Sequence, residues 1–124
     1  MKKDWKEILT KEEFFVCRQK GTEPAFSGSY DKFFEGGKYF CKCCGSYLFN
    51  SKDKFNSGSG WPSFTSQAKE GNILFLEDNS HGMRRVEVQC SKCRSHLGHV
   101  FDDGPSPSFK RFCINSLSLS FKKS

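Results

Sequence analysis

The sequence predicts a mainly β fold, antiparallel throughout, entered through a short N-terminal helical arm and stapled by four cysteines. Three observations predict it. From about residue 38 the chain breaks into short runs rich in Phe, Tyr, Val, Ile and Leu, separated by Gly, Asn, Asp or Pro clusters. Ahead of these runs Thr10 stands three residues before Glu13, the spacing of a capping box. Two CxxC pairs, Cys41 with Cys44 and Cys90 with Cys93, lie far apart in the chain. At 124 residues the chain reads as one domain, 1–124, with the arm over 1–20 and the β core over 21–121.

Taken in order, the capping box, the apolar Phe14 and Phe15 and the helix-stopping Gly21 predict a helix from about 11 to 19. GTEPAFSG then breaks the chain, and KYFCKC, SYLFN, NILFLE, RRVEVQC, HVF, KRFCIN and SLSLSF read as strands. In the last two the apolar parity switches, from Phe112 and Ile114 to Leu117, Leu119 and Phe121. Near Asn115 and Ser116 either one residue bulges out or the strand changes sheets.

Two residues between cysteines let both thiolates face one ion, and two such pairs supply the four sulfurs of a closed tetrahedral zinc site. One structural Zn2+ bound by Cys41, Cys44, Cys90 and Cys93 is favoured over two redox dithiols, because no thioredoxin-like βαβ pattern surrounds either pair. The ion is expected to tie two distant hairpins within one sheet system. Cys43 adjoins a ligand, but only Cys41 and Cys44 keep the two-residue gap.

Cys113 lies in RFCINS. On a strand, Arg111, Cys113 and Asn115 share one face and Phe112 and Ile114 the other, so Cys113 is on the polar side with a fixed cation two residues away. It is either a buried structural cysteine or a reactive one whose thiolate Arg111 favours. His96 and His99 would face opposite ways on a regular strand, but Gly98 permits a kink that turns both to one cleft; otherwise they are surface or loop histidines. Trp61, in a Gly- and Ser-rich turn set by Pro62, is either a core anchor or a wall for a methyl or sulfur group.

The formal net charge of +6 comes from Lys and Arg scattered in ones and twos, with no run that would track a phosphate backbone. No stretch has the length and apolarity of a membrane span, and the start is charged rather than signal-like. The expectation is a cytoplasmic protein that partners neither nucleic acid nor membrane, in a reducing compartment where seven cysteines serve as ligands or catalytic thiols.

Four segments, CxxCGxxLF from Cys41, KFxSGxGWPSF from Lys54, CxxCxxHLGHVFxDGP from Cys90 and RFCINSxSL from Arg111, occur in the order found in B-type methionine sulfoxide reductases. The sequence closely resembles that family from about residue 21 to 121. The resemblance implies two small antiparallel sheets with a peripheral zinc, and thiol-dependent reduction of methionine-R-sulfoxide, protein-bound or free. It implies Cys113 as the nucleophile that becomes a sulfenic acid, with Arg111 and Asn115 holding its neighbourhood and His99 and His96 as acid candidates. Asp103 is expected to orient a histidine, and Trp61, with Phe64 as a second wall, to receive the ε-methyl group. Many members carry a resolving cysteine where this chain has Ser59. Recycling is then left to Cys17, to Cys43 or to an external thiol such as thioredoxin, and Cys17, on an arm expected to move, is favoured. The rival readings are a non-catalytic module holding a ligand in an aromatic cage, and a zinc-dependent nucleic-acid binder supported only by charge and the 15% aromatic content.

Overall fold

The computed structural model describes residues 4–82 and 84–123. Among these residues two helices come first, α1 (Trp5–Ile8) and α2 (Lys11–Gln19), followed by nine strands. The expected capping box is present in full: Thr10 Oγ1 accepts from Glu13 N–H at 3.1 Å, and Glu13 Oε1 accepts from Thr10 N–H at 2.9 Å. Lys20, left-handed at φ 59°, ends α2. α1 is an additional turn, capped by Asp4. No helix among the described residues is long and apolar enough to cross a membrane.

The strands are β1 (Gly37–Cys41), β2 (Tyr47–Asn50), β3 (Lys54–Phe55), β4 (Ser63–Phe64), β5 (Ile73–Asp78), β6 (Arg85–Cys90), β7 (His96–Phe101), β8 (Arg111–Ile114) and β9 (Leu119–Lys123). They form two antiparallel sheets, β2-β1-β9 and β3-β4-β8-β7-β6-β5. The parity switch at Asn115 and Ser116 is a change of sheets. β8 belongs to the six-stranded sheet and β9 to the three-stranded one, joined by a 3₁₀ turn over Ser116–Ser118.

The core lies between the sheets. Phe49 stacks on Phe64 at 4.4 Å between ring centroids and meets Phe112 edge-on at 5.7 Å, while Tyr39 meets Phe64 at 5.1 Å. Tyr39, Phe49 and Phe64 are fully buried, so each contributes on the order of 2 kcal/mol of apolar burial. As the alternation predicts, Phe112 and Ile114 of β8 enter this core while Arg111 and Cys113 face the other side, half-buried.

That other face carries the site. Register places Ser63, Cys113, His99 and Glu87 side by side across β4, β8, β7 and β6. Between β6 and β7 the register slips: Val88 pairs with Gly98 but Gln89 with His96, leaving Leu97 as the extra residue of a bulge. The bulge returns His96 to the face of His99, where the rings meet edge to face at 5.7 Å. Gly98 is what lets the strands close here. A Cβ on it would lie 2.0 Å from the carbonyl oxygen of Cys113.

Candidate active site

Cys113 opens into a cleft of about 240 Å³ walled by Ser59, Trp61, His99, Phe101 and Arg111 and bounded at one rim by Thr22. The walls come from the loop before β4 and from β7 and β8. The Trp61 indole N–H donates to the Glu23 carbonyl at 2.9 Å. Asn115 is buried beneath: its Oδ1 accepts from Glu23 N–H at 2.9 Å and its Nδ2 donates to the Leu97 carbonyl at 3.0 Å. The Glu23 carboxylate, also buried, accepts from Leu117 N–H at 2.9 Å. Asn115 and Glu23 thus lace the segment after α2 to the end of β8.

Arg111 is clamped. Asp103 accepts from its Nε at 2.8 Å and its Nη2 at 3.1 Å, and the guanidinium lies 4.6 Å from the centre of the Phe101 ring. Asp103 therefore orients the arginine and not a histidine, correcting the sequence expectation. The histidines have acidic partners the sequence reading missed: Asp78 lies 2.7 Å from His99 Nε2, and Glu87 lies 2.6 Å from His96 Nδ1. Arg85, another cleft residue, reaches the same Asp78 oxygen at 3.4 Å. His99 holds the Asp78 carboxyl well below the usual carboxylate range. Burial pushes Glu87 up, but bonds from Gln89, His96 and Lys20 outweigh it and hold the carboxyl below its ordinary value. Burial pushes the His96 imidazole down against the pull of Glu87.

His99 lines the cleft, whereas His96 is 3% exposed and sits behind it. Phe64, expected as a second wall, is instead wholly buried against Phe49, because its strand neighbour Ser63 takes the cleft side. At Cys113 burial opposes the pull expected from Arg111. Burial pushes its thiol above the ordinary value; Arg111 and Ser59 pull the other way without reversing it. Arg111→Met should therefore raise the thiol further. The alkaline rise of iodoacetamide alkylation should move to higher pH, cutting the rate at pH 8 about tenfold for each unit moved. An unmoved profile would show that Arg111 does not act on the sulfur.

The four CxxC sulfurs all lie within 4.8 Å of one another, with Cys41 to Cys93 and Cys44 to Cys90 at 3.5 Å. A tetrahedron with Zn–S bonds of about 2.3 Å has edges of about 3.8 Å, so the set fits zinc. The two pairs sit in two turns of the same kind. Gly45 N–H donates to the Cys41 carbonyl and Arg94 N–H to that of Cys90, and both residues are left-handed, at φ 82° and 67°. One turn links β1 to β2 and the other β6 to β7, so the site joins the two sheets instead of two hairpins of one.

Residues 9–123 match the family model described as the SelR domain. The chain is 54% identical over 120 residues to the peptide methionine sulfoxide reductase MsrB of Alteromonas mediterranea, covering 97% of this chain and 84% of that protein. It is also 54% identical to the MsrB of Leptospira interrogans, covering 97% and 92%, and 55% identical over 122 residues to that of Methanosarcina mazei, covering 97% and 86%. The chain belongs to the MsrB family.

Within that family the Ser59 position matters, because the resemblance puts a resolving cysteine there in many members. Here the Ser59 hydroxyl acts on the Cys113 thiol and is bonded through Ser57 Oγ, at 2.8 Å, to Ser63. Cys17 does not take its place in the described conformation. It is 1% exposed in α2, its Sγ 3.7 Å from the Leu117 carbonyl, beside Cys43 and not in the cleft. The arm expected to move is docked: Arg18 donates to the Cys93 carbonyl at 3.1 Å, and Lys20 and Lys42 pair with Glu87 and Glu13.

Proposed function

We propose that the protein reduces methionine-R-sulfoxide to methionine through Cys113, with a structural zinc held by Cys41, Cys44, Cys90 and Cys93. The observation that carries this is the meeting of a half-buried thiol, a cross-strand histidine and an indole wall in one cleft sized for a side chain. The ε-methyl group rests against Trp61 while the sulfoxide oxygen turns to the polar side, toward His99 and Arg111. That choice between methyl and oxygen selects the R epimer.

The Cys113 sulfur attacks the sulfoxide sulfur as the oxygen takes up a proton, with His99, oriented by Asp78, as the donor. Oxygen passes to Cys113, the methionine S–O bond breaks, and methionine leaves. The sulfoxide gains two electrons and the cysteine loses two, becoming a sulfenic acid. The proton from the original thiol closes the balance. Arg111, tied to Asp103, opposes the cost of negative charge on the buried sulfur. A zinc ion held by Cys41, Cys44, Cys90 and Cys93 would have no open position for substrate or water, and would serve by tying together the sheets that carry the cleft.

Recycling needs a thiol. It condenses with the sulfenic acid, releasing water, and a second thiol reduces the resulting disulfide. With Ser59 beside Cys113 and Cys17 docked away from the cleft, the direct route is an external reductant such as thioredoxin or a small thiol. The Cys17 route requires α2 to lift. Mass spectrometry of protein treated with substrate but no reductant separates the two: a Cys17–Cys113 peptide pair marks the arm, and sulfenic acid alone marks the external route. The activity itself is tested by assaying both epimers with dithiothreitol. R should turn over and S should not, and reduction of S alone would overturn the assignment.

A further inference from the structure

A second, larger cavity of about 700 Å³ runs along α2, floored by Val16 and Leu117 and flanked by Phe14, Phe15 and Pro24. Its lining is mostly apolar, and Phe15 is 50% exposed although its ring packs against Gly21. Large apolar side chains grouped on a surface mark places where something docks. Thr22 borders both this groove and the catalytic cleft. Glu23 follows in the same segment, fixed by Trp61, Asn115 and Leu117, so the partition between the two hollows is rigidly held.

The cleft, at about 240 Å³, falls below the roughly 300–1,000 Å³ of sites that swallow a whole drug-sized ligand. It admits a side chain, and the main chain of a polypeptide substrate must remain on the rim. Extended residues advance about 3.3–3.6 Å each, so a chain leaving the cleft over Thr22 brings a residue a few positions from the sulfoxide onto the groove. We infer that this groove docks the part of a polypeptide substrate flanking its methionine sulfoxide and takes an apolar side chain from it. The inference rests on the reading of the Cys113 cleft as the reductase site. Recognition then extends beyond the cleft to the identity of a flanking side chain, a contact that the blocked amino acid cannot make.

The test uses the full chain with dithiothreitol, N-acetyl-methionine-R-sulfoxide, and nonapeptides with one central methionine-R-sulfoxide and a single Leu moved through otherwise Ser and Gly flanks. The ratio of kcat/KM for peptide to that for the blocked amino acid should peak with Leu at one flanking position. For that peptide the ratio should fall about tenfold in Phe15→Ser, which removes apolar contact, and in Gln19→Trp, which fills the groove from an exposed position. Equal ratios for every Leu position, or ratios unmoved in both variants, would overturn the inference alone. A groove that instead pairs two copies of the chain would show as a dimer dissociated by Phe15→Ser with unchanged ratios, and would also overturn it. A wild type inert toward the blocked R-sulfoxide would take down the reductase reading, and this inference with it.

Discussion

Cys113→Ser should reduce turnover of methionine-R-sulfoxide to background with any thiol reductant, a loss of at least about a thousandfold, while zinc content and thermal stability stay at wild-type levels. The substitution is nearly isosteric and lies on the cleft face of β8, opposite the side occupied by Phe112 and Ile114, so the core is untouched. A serine hydroxyl keeps its proton at neutral pH and is a poor nucleophile toward sulfoxide sulfur. It also cannot carry oxygen as a sulfenic acid, so neither half of the cycle survives. In a single turnover without reductant, wild type should release one methionine per chain and the variant none. Measurable release by the variant would move the nucleophile elsewhere.

Cys90→Ser should abolish zinc binding and leave the chain unfolded or aggregated, as should prolonged treatment of wild type with a strong chelator. Structural zinc contributes about 10–16 kcal/mol of apparent binding free energy, comparable to or larger than the roughly 5–15 kcal/mol net stability of a whole domain. Cys90 is fully buried at the end of β6, and the four-sulfur site ties the β1–β2 turn of one sheet to the β6–β7 turn of the other. Loss of the ion should therefore free the two sheets from each other and open the aromatic layer of Tyr39, Phe49 and Phe64. Circular dichroism with a colorimetric zinc assay tests both parts. A folded, active Cys90→Ser protein with one zinc per chain would show that the staple lies elsewhere.

Much of the site was legible because it is written in short-range pattern. Alternation in RFCINS sends Phe112 and Ile114 to the core and Arg111 and Cys113 to the opposite face, a consequence of strand geometry needing no knowledge of the partner strands. The capping box fixes the start of α2 locally, and the CxxC spacing brings two sulfurs together in one turn. The parity switch before Leu119 required a break in the strand, although two outcomes satisfied it equally. The choice between bulge and sheet change depended on which strand β9 would pair with, and β1 lies some eighty residues away in the chain.

The sequence by itself determined the strand texture of the core, the helical arm, the pairing of sulfurs within each CxxC and the polar placement of Cys113, since each depends on residues within a few positions of one another. Only the tertiary structure decided the rest. Asp78 and Glu87 became the partners of His99 and His96 because the register of β5, β6 and β7 brings them together, and the bulge at Leu97 turned His96 to the same face. Asp103 went to Arg111, Phe64 to the core and Cys17 to the docked face of α2, each through a contact with a different element. The balance acting on the Cys113 thiol depends on the fold in the same way. Arg111 is visible in the sequence, but the burial that outweighs it comes from the walls of the cleft, and desolvation depends on everything packed around an atom and not on its neighbours in the chain.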